Sequence, residues 1–111
     1  MNISKEDLTR INKGFGSNLR NDAGIDFAIE MQRNRKIGLY KRLAYLWRAI
    51  LVDHPFSDGN KRTALFVAFK FAEEANKKAN RDLLIHYIQS IASRNITNIK
   101  NIEWRIKTAI K

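Results

Sequence analysis

A chain of 111 residues that is 44% hydrophobic and 10% aromatic carries enough large apolar side chains to bury one core, which excludes a disordered basic tail. The absence of cysteine excludes disulfides and thiolate–metal centres. The polar start MNISKEDLTR is no signal peptide, and no apolar run approaches the roughly 20 residues of a membrane span, so we expect one soluble, cytoplasmic domain over residues 1–111.

Charge is the stronger compositional signal. Twenty-one Lys and Arg against eleven Asp and Glu give a formal charge of +10. From Asn76 onward eight basic residues (Lys77, Lys78, Arg81, Arg94, Lys100, Arg105, Lys107, Lys111) face two acidic ones (Asp82, Glu103), a net +6. Such a surface suits nucleic acid, nucleotide phosphates or an acidic protein partner, and equally suits a solvated helix face that keeps the chain in solution.

One proline and five glycines leave few breakers, which favours helices. Ser4 with Asp7 in the first turn predicts a helix over Ser4–Asn12, ended by Gly14 and Gly16. Ser17–Gly24 reads as a loop, Asp22 as the cap of a helix through Phe27, Ile29 and Met31 to about Arg33, and Arg33–Gly38 as a basic tether. Leu39, Leu43, Leu46, Trp47, Ile50 and Leu51 recur at three-and-four spacing, and Pro55 ends that helix near Asp53. Gly59 or Asn60 opens the next helix, running to about Asn76 and apolar on every side between Ala64 and Phe69, which predicts the buried centre of the fold. Arg81–Ser93 carries Leu84, Tyr87, Ile88 and Ile91 on one face, and Thr97 is the expected cap of a last helix striped by Ile99, Ile102, Ile106 and Ile110. No strand pattern appears. The expectation is an all-α bundle around a buried central helix at about 60–76.

The chemistry lies between the two strongest helices, in His54-Pro55-Phe56-Ser57-Asp58-Gly59-Asn60-Lys61-Arg62. A polar loop that runs straight into a helix N-terminus presents unpaired N–H groups and partial positive charge, an anion site. Gly59 lets the backbone approach a ligand closely. Lys61 and Arg62 add two cations where the helix dipole disfavours them, which makes sense if an anion sits there, and Arg62 can grip phosphate with its fork. Asp58 offers one carboxylate beside the phosphates, the usual way to hold Mg²⁺. His54 can take a proton from an attacking hydroxyl, although a histidine before proline at a helix end also serves as a capping or packing residue. Phe56 reads as a core anchor that pins the loop. These are the parts that phosphoryl-type transfer requires.

The string HPFSDGNKRTAL resembles the signature loop of the Fic/Doc family, and its lysine version is most similar to the Doc (death-on-curing) branch. Fic proteins usually read His-Pro-Phe-x-Asp/Glu-Gly-Asn-Gly-Arg-x-x-Arg; here Lys61 replaces the second glycine and Leu65 the distal arginine. Doc proteins typically read His-x-Phe-x-Asp-Ala/Gly-Asn-Lys-Arg-Thr-Ala, matched from His54 to Ala64. Leu19-Arg20-Asn21-Asp22-Ala23-Gly24 resembles the short N-terminal part of Doc proteins.

The resemblance implies His54 as catalytic base, Asp58 as Mg²⁺ ligand, and Gly59, Asn60, Lys61 and Arg62 as binders of the phosphates of ATP. It implies a transferase acting on a protein hydroxyl. Fic members with the glycine and distal arginine transfer AMP; Doc, lacking both, holds ATP the other way round and transfers the terminal phosphate, notably to elongation factor Tu. The inhibitory Ser/Thr-x-x-x-Glu-Gly/Asn motif is not found, which fits control by a separate, acidic antitoxin of a toxin–antitoxin pair. The family's substrate-aligning flap falls around Arg33–Gly38, without a recognisable signature. The alternatives are an AMP transferase that tolerates Lys61, a catalytically idle scaffold that binds nucleotide, and a basic nucleic-acid-binding helical module. Against the last stands the distribution of aromatics, mostly at core spacing and not interleaved with cations.

Overall fold

Helices form where the apolar periodicity places them. The computed structural model describes residues 3–16 and 18–111, so Met1 and Asn2 of the polar start and Ser17 of the loop-like stretch lie outside the described residues. It comprises α1 (Lys5–Lys13), α2 (Ala23–Gln32), α3 (Leu39–Leu51), α4 (Asn60–Glu74), α5 (Arg81–Arg94) and α6 (Ile99–Ala109). The all-α expectation holds. The only β pairing among the described residues is two isolated bridges, Leu19 with Phe56 and Ala79 with Ile110. No helix among them is long and apolar enough to cross a membrane.

Local chemistry starts α1. The Ser4 hydroxyl accepts the Asp7 N–H at 3.0 Å and the Asp7 carboxylate accepts the Ser4 N–H at 3.0 Å, a reciprocal box that satisfies two orphan donors. The Ser4 backbone N–H, then its hydroxyl, holds the Asp7 carboxyl below the usual carboxylate range. A depressed folded-state value means stabilisation present above the unfolded value and lost as pH falls through the folded one. Ser4→Ala is therefore expected to cost about 0.5–2 kcal/mol near neutral pH and to flatten the acid limb only in part, because the Ser4 N–H to Asp7 is retained, measured by urea denaturation over a pH series.

Asp22 occupies the position before α2 but does not cap it. Its carboxylate is drawn instead to the Lys5 ammonium at 3.2 Å, which also meets Asp26 at 3.1 Å. Ion pairing across α1 and α2 wins over the local cap. At the other end of the chain Asn98, not Thr97, caps α6 by accepting the Asn101 N–H at 2.9 Å, and Asn80 caps α5 through Leu83 N–H at 3.1 Å. Asparagine is the better cap, and the helix starts one residue later as a result.

The most enclosed helix is α3, which packs against α2, α4, α5 and α6. Leu43, Ala44, Leu46, Trp47, Ala49, Ile50 and Leu51 are all buried along it. Trp47 donates its indole N–H to the Ala64 carbonyl at 3.2 Å and so ties α3 to the start of α4. The expectation for α4 is met on one side: Ala64, Val67, Ala68, Phe71 and Ala72 are buried, but Phe66 and Phe69 stay 47% and 37% exposed. α4 lies on α3 between α1 and α5 and has no described element over its outer face. Its apolar outer face is what misleads a reading by periodicity.

Candidate active site

The loop between α3 and α4 is built from the backbone outward. Phe56 is fully buried, so the middle of the loop is pinned to the core while its neighbours Ser57 and Asp58 face solvent. Residues 18–21 run antiparallel to 54–57: the N–H groups of Arg20 and Asn21 both donate to the Pro55 carbonyl at 2.7 and 3.1 Å, and Ser57 N–H donates to Asn18 O at 3.0 Å. The Asn60 side chain then closes the loop on itself. Its Oδ1 accepts the Phe56 N–H at 3.2 Å and its Nδ2 donates to the Phe56 carbonyl at 3.1 Å. That engagement leaves the Asn60 backbone N–H, and not its amide, as the group offered to an anion.

A third brace comes from α1. Asn12 is fully buried, donating Nδ2 to the Asp58 carbonyl at 2.9 Å and to Thr63 Oγ1 at 3.1 Å, while Thr63 Oγ1 donates to the Gly59 carbonyl at 2.8 Å. Gly59 itself has φ +71°, and a Cβ there would meet Asn12 Nδ2 and Phe15 Cβ, each at 3.2 Å. Only glycine suits both conditions. Gly59→Ala is expected to cost about 1–2 kcal/mol for the left-handed backbone alone, read as a lower unfolding temperature, together with weaker Mg·ATP affinity by calorimetric titration.

The braced loop encloses a cavity of about 410 Å³ lined by His54, Ser57, Asp58, Gly59, Asn60, Lys61 and Arg62. Every site residue expected from the sequence lines it except Phe56, which lies in the core beneath. Thr63 N–H makes the first intrahelical bond of α4, to Gly59 O at 2.9 Å, so the N–H groups of Asn60, Lys61 and Arg62 precede it and lack helical partners. With the cationic side chains of Lys61 and Arg62, this end of the cavity gathers unpaired donors and positive charge, the features that suit an anion.

Asp58 accepts the Gly59 N–H at 2.7 Å through Oδ1 and lies 3.8 Å from the Arg62 guanidinium through Oδ2. Arg62 also stacks over the Phe15 ring at 5.5 Å, which holds its fork near the loop. No group of three or more His, Cys, Asp or Glu side chains capable of holding a metal occurs among the described residues. A single solvent-facing carboxylate fits Mg²⁺ only as the ion is held beside nucleotide phosphates, which supply the remaining oxygens.

His54 adopts φ +48°, a left-handed conformation that a non-glycine residue holds only when its surroundings impose it. The Arg20 guanidinium donates to the His54 carbonyl at 3.1 Å, and the buried Pro55 fixes the following turn. The backbone is thus held through its carbonyl while the half-buried imidazole lines the cavity. Sequence reading missed Asn12, Phe15, Asn18, Arg20 and Thr63. The signal for Asn12 was present: it sits one turn after Leu8 on the buried stripe of α1, where an amide needs polar partners.

Comparison with known proteins places these features in a family. Neither the curated proteins nor the solved structures return a match. Residues 4–72, from the α1 cap through α4, match the model of the Fic/DOC family, whose members are typically transferases and in general use ATP with Mg²⁺. Since the match takes in more than half the chain and every residue that builds or braces the cavity, the chain belongs to the Fic/DOC family.

Proposed function

We propose that this chain is a protein kinase of the Doc type, transferring the γ-phosphate of ATP to a serine or threonine hydroxyl of a protein substrate. The observation that carries the reading is the pair of residues at the two positions that separate the branches. Lys61, where AMP-transferring members have glycine, lines the phosphate end of the cavity. Leu65, where they have a second arginine, lines a groove of about 250 Å³ between α4 and α5 that shares Lys61 and Arg62 with the loop cavity. Compared with the AMP-transferring pattern, the loop gains a cation at Lys61 and α4 loses one at Leu65, while Arg81 of α5 lines the groove beside Leu65.

In this reading the substrate hydroxyl enters beside His54, whose imidazole accepts its proton as the oxygen attacks the γ-phosphorus. The bond from that phosphorus to the bridging oxygen breaks and ADP departs. The N–H groups of Asn60, Lys61 and Arg62 and the side chains of Lys61 and Arg62 stabilise the charge on the phosphates as it shifts toward the leaving oxygen. Asp58 would hold Mg²⁺, which when bound neutralises phosphate charge. Elongation factor Tu is the family-type substrate, an acidic antitoxin is the controlling partner, and the pair forms a toxin–antitoxin system.

The co-product tests the reaction class. Incubation with Mg·ATP and a cell extract should yield ADP in proportion to modified protein; pyrophosphate in its place would overturn the kinase reading in favour of AMP transfer. Arg62→Ala should weaken Mg·ATP binding about 10- to 100-fold in a calorimetric titration, because it removes a charge-assisted contact to phosphate.

A further inference from the structure

The face formed by α5 and α6 carries a second cluster, none of whose residues lines the loop cavity. Trp104 is 60% exposed, the most exposed large hydrophobic side chain among the described residues. Its ring lies 6.3 Å from that of Tyr87 at 61°, and His86 stands 5.6 Å from the other partner, Tyr87, at 52°. The Arg105 guanidinium sits over the Tyr87 ring at 5.3 Å. It is held there by Asn101 Oδ1 at 2.6 Å and Ser90 Oγ at 3.3 Å, so the cation is positioned and not waving in solvent.

The surroundings are cationic. One turn before Tyr87 on α5 and one turn after Trp104 on α6, Leu83 and Thr108 line a hollow of about 430 Å³ together with Lys78 and Lys111. One turn beyond Ser90 stands Arg94, at the opposite end of the same helical row. The acidic residues from Asn76 onward are Asp82 and Glu103, and the Lys107 ammonium lies 3.9 Å from Glu103. An open, planar aromatic with cations on both sides along a band of about 16 Å (three helical turns) matches a ligand with flat rings and repeated negative charges. A folded protein partner would bury an apolar patch around such an anchor, whereas Trp104 is the one exposed large hydrophobic side chain on α5 and α6 among the described residues.

We propose that the α5–α6 face binds single-stranded nucleic acid, with a base stacked on Trp104 and phosphates held by Arg105, Arg94, Lys78 and Lys111. This does not rest on the transfer reaction, and the test is made in the His54→Ala protein so that the two readings fail separately. Trp47 is fully buried, so quenching of indole fluorescence reports Trp104. A short oligouridylate should quench it, with affinity falling steeply as salt rises. By anisotropy of a labelled oligouridylate, Trp104→Ala should bind about tenfold more weakly, and Trp104→Phe, which keeps a stacking face, should retain most of the affinity. Unchanged affinity in Trp104→Ala, or no quenching by the oligonucleotide, would overturn the proposal. Equal quenching by a polyglutamate peptide would also overturn it, in favour of an acidic protein partner.

Discussion

His54→Ala is expected to lower protein labelling by about 10²- to 10⁴-fold, the contribution typical of a positioned general base, while leaving Mg·ATP affinity and the unfolding curve close to wild type. The separation follows from how the residue is held. Its backbone is braced through the carbonyl by Arg20 and through the buried Pro55, neither of which the substitution touches. The imidazole is half-buried at the mouth of the cavity and contributes no core packing. The groups proposed to contact phosphate stand at the start of α4, several residues away along the loop. Label transfer and calorimetric ATP binding, measured on the same preparation, check both halves. Undiminished labelling would remove His54 from the mechanism, and lost ATP binding would make it a structural residue of the loop.

Trp47→Ala should have the largest effect on stability, about 3–5 kcal/mol, against a total of about 5–15 kcal/mol for a domain of ordinary stability. Trp47 is fully buried at the centre of α3, the helix that touches most of the others. Its removal leaves a cavity in the core and takes away the indole N–H bond to Ala64 O at 3.2 Å. Because Ala64 lies in the first turns of α4, the same change should loosen the helix end that lines the loop cavity. Urea denaturation followed by circular dichroism measures the loss. Trp47→Phe, which keeps a ring but no donor, should cost clearly less; equal costs would show that the hydrogen bond, and not volume, dominates at this position.

The local parts of the account were legible in the sequence. The helix start at Ser4 and Asp7, the stripe of α3 and the stop at Pro55 all depend on neighbours within a few positions, whereas the left-handed backbone of Gly59 came only with the structure. The loop motif was legible for the same reason, since its chemistry is contiguous. What depended on distant residues was not. Nothing in the sequence pairs Arg20 with His54 or Asn12 with Asp58, separated by 34 and 46 positions. Asp22 looked like a helix cap because the competing ammonium of Lys5 belongs to another helix.

Apolar residues misled in two places. Phe66 and Phe69 read as core because their helix is apolar all round, yet they stay partly exposed, Phe66 beside α1. The aromatics read as mostly at core spacing and not interleaved with the cations, whereas Trp104 is exposed and Arg105 lies over Tyr87. Periodicity says which residues share a face of a helix; whether another helix arrives to cover that face is decided by the tertiary fold.

The measurement that bears most directly on the central claim uses ATP labelled separately at the α- and γ-phosphates. Each is incubated with Mg²⁺, a cell extract, and either the wild-type chain or its His54→Ala variant. Label should reach protein from the γ position only, and only with wild type. Label from the α position would contradict it, since Lys61 and Leu65 would then not set the direction in which ATP is held; equal labelling by wild type and His54→Ala would contradict the assignment of the site itself.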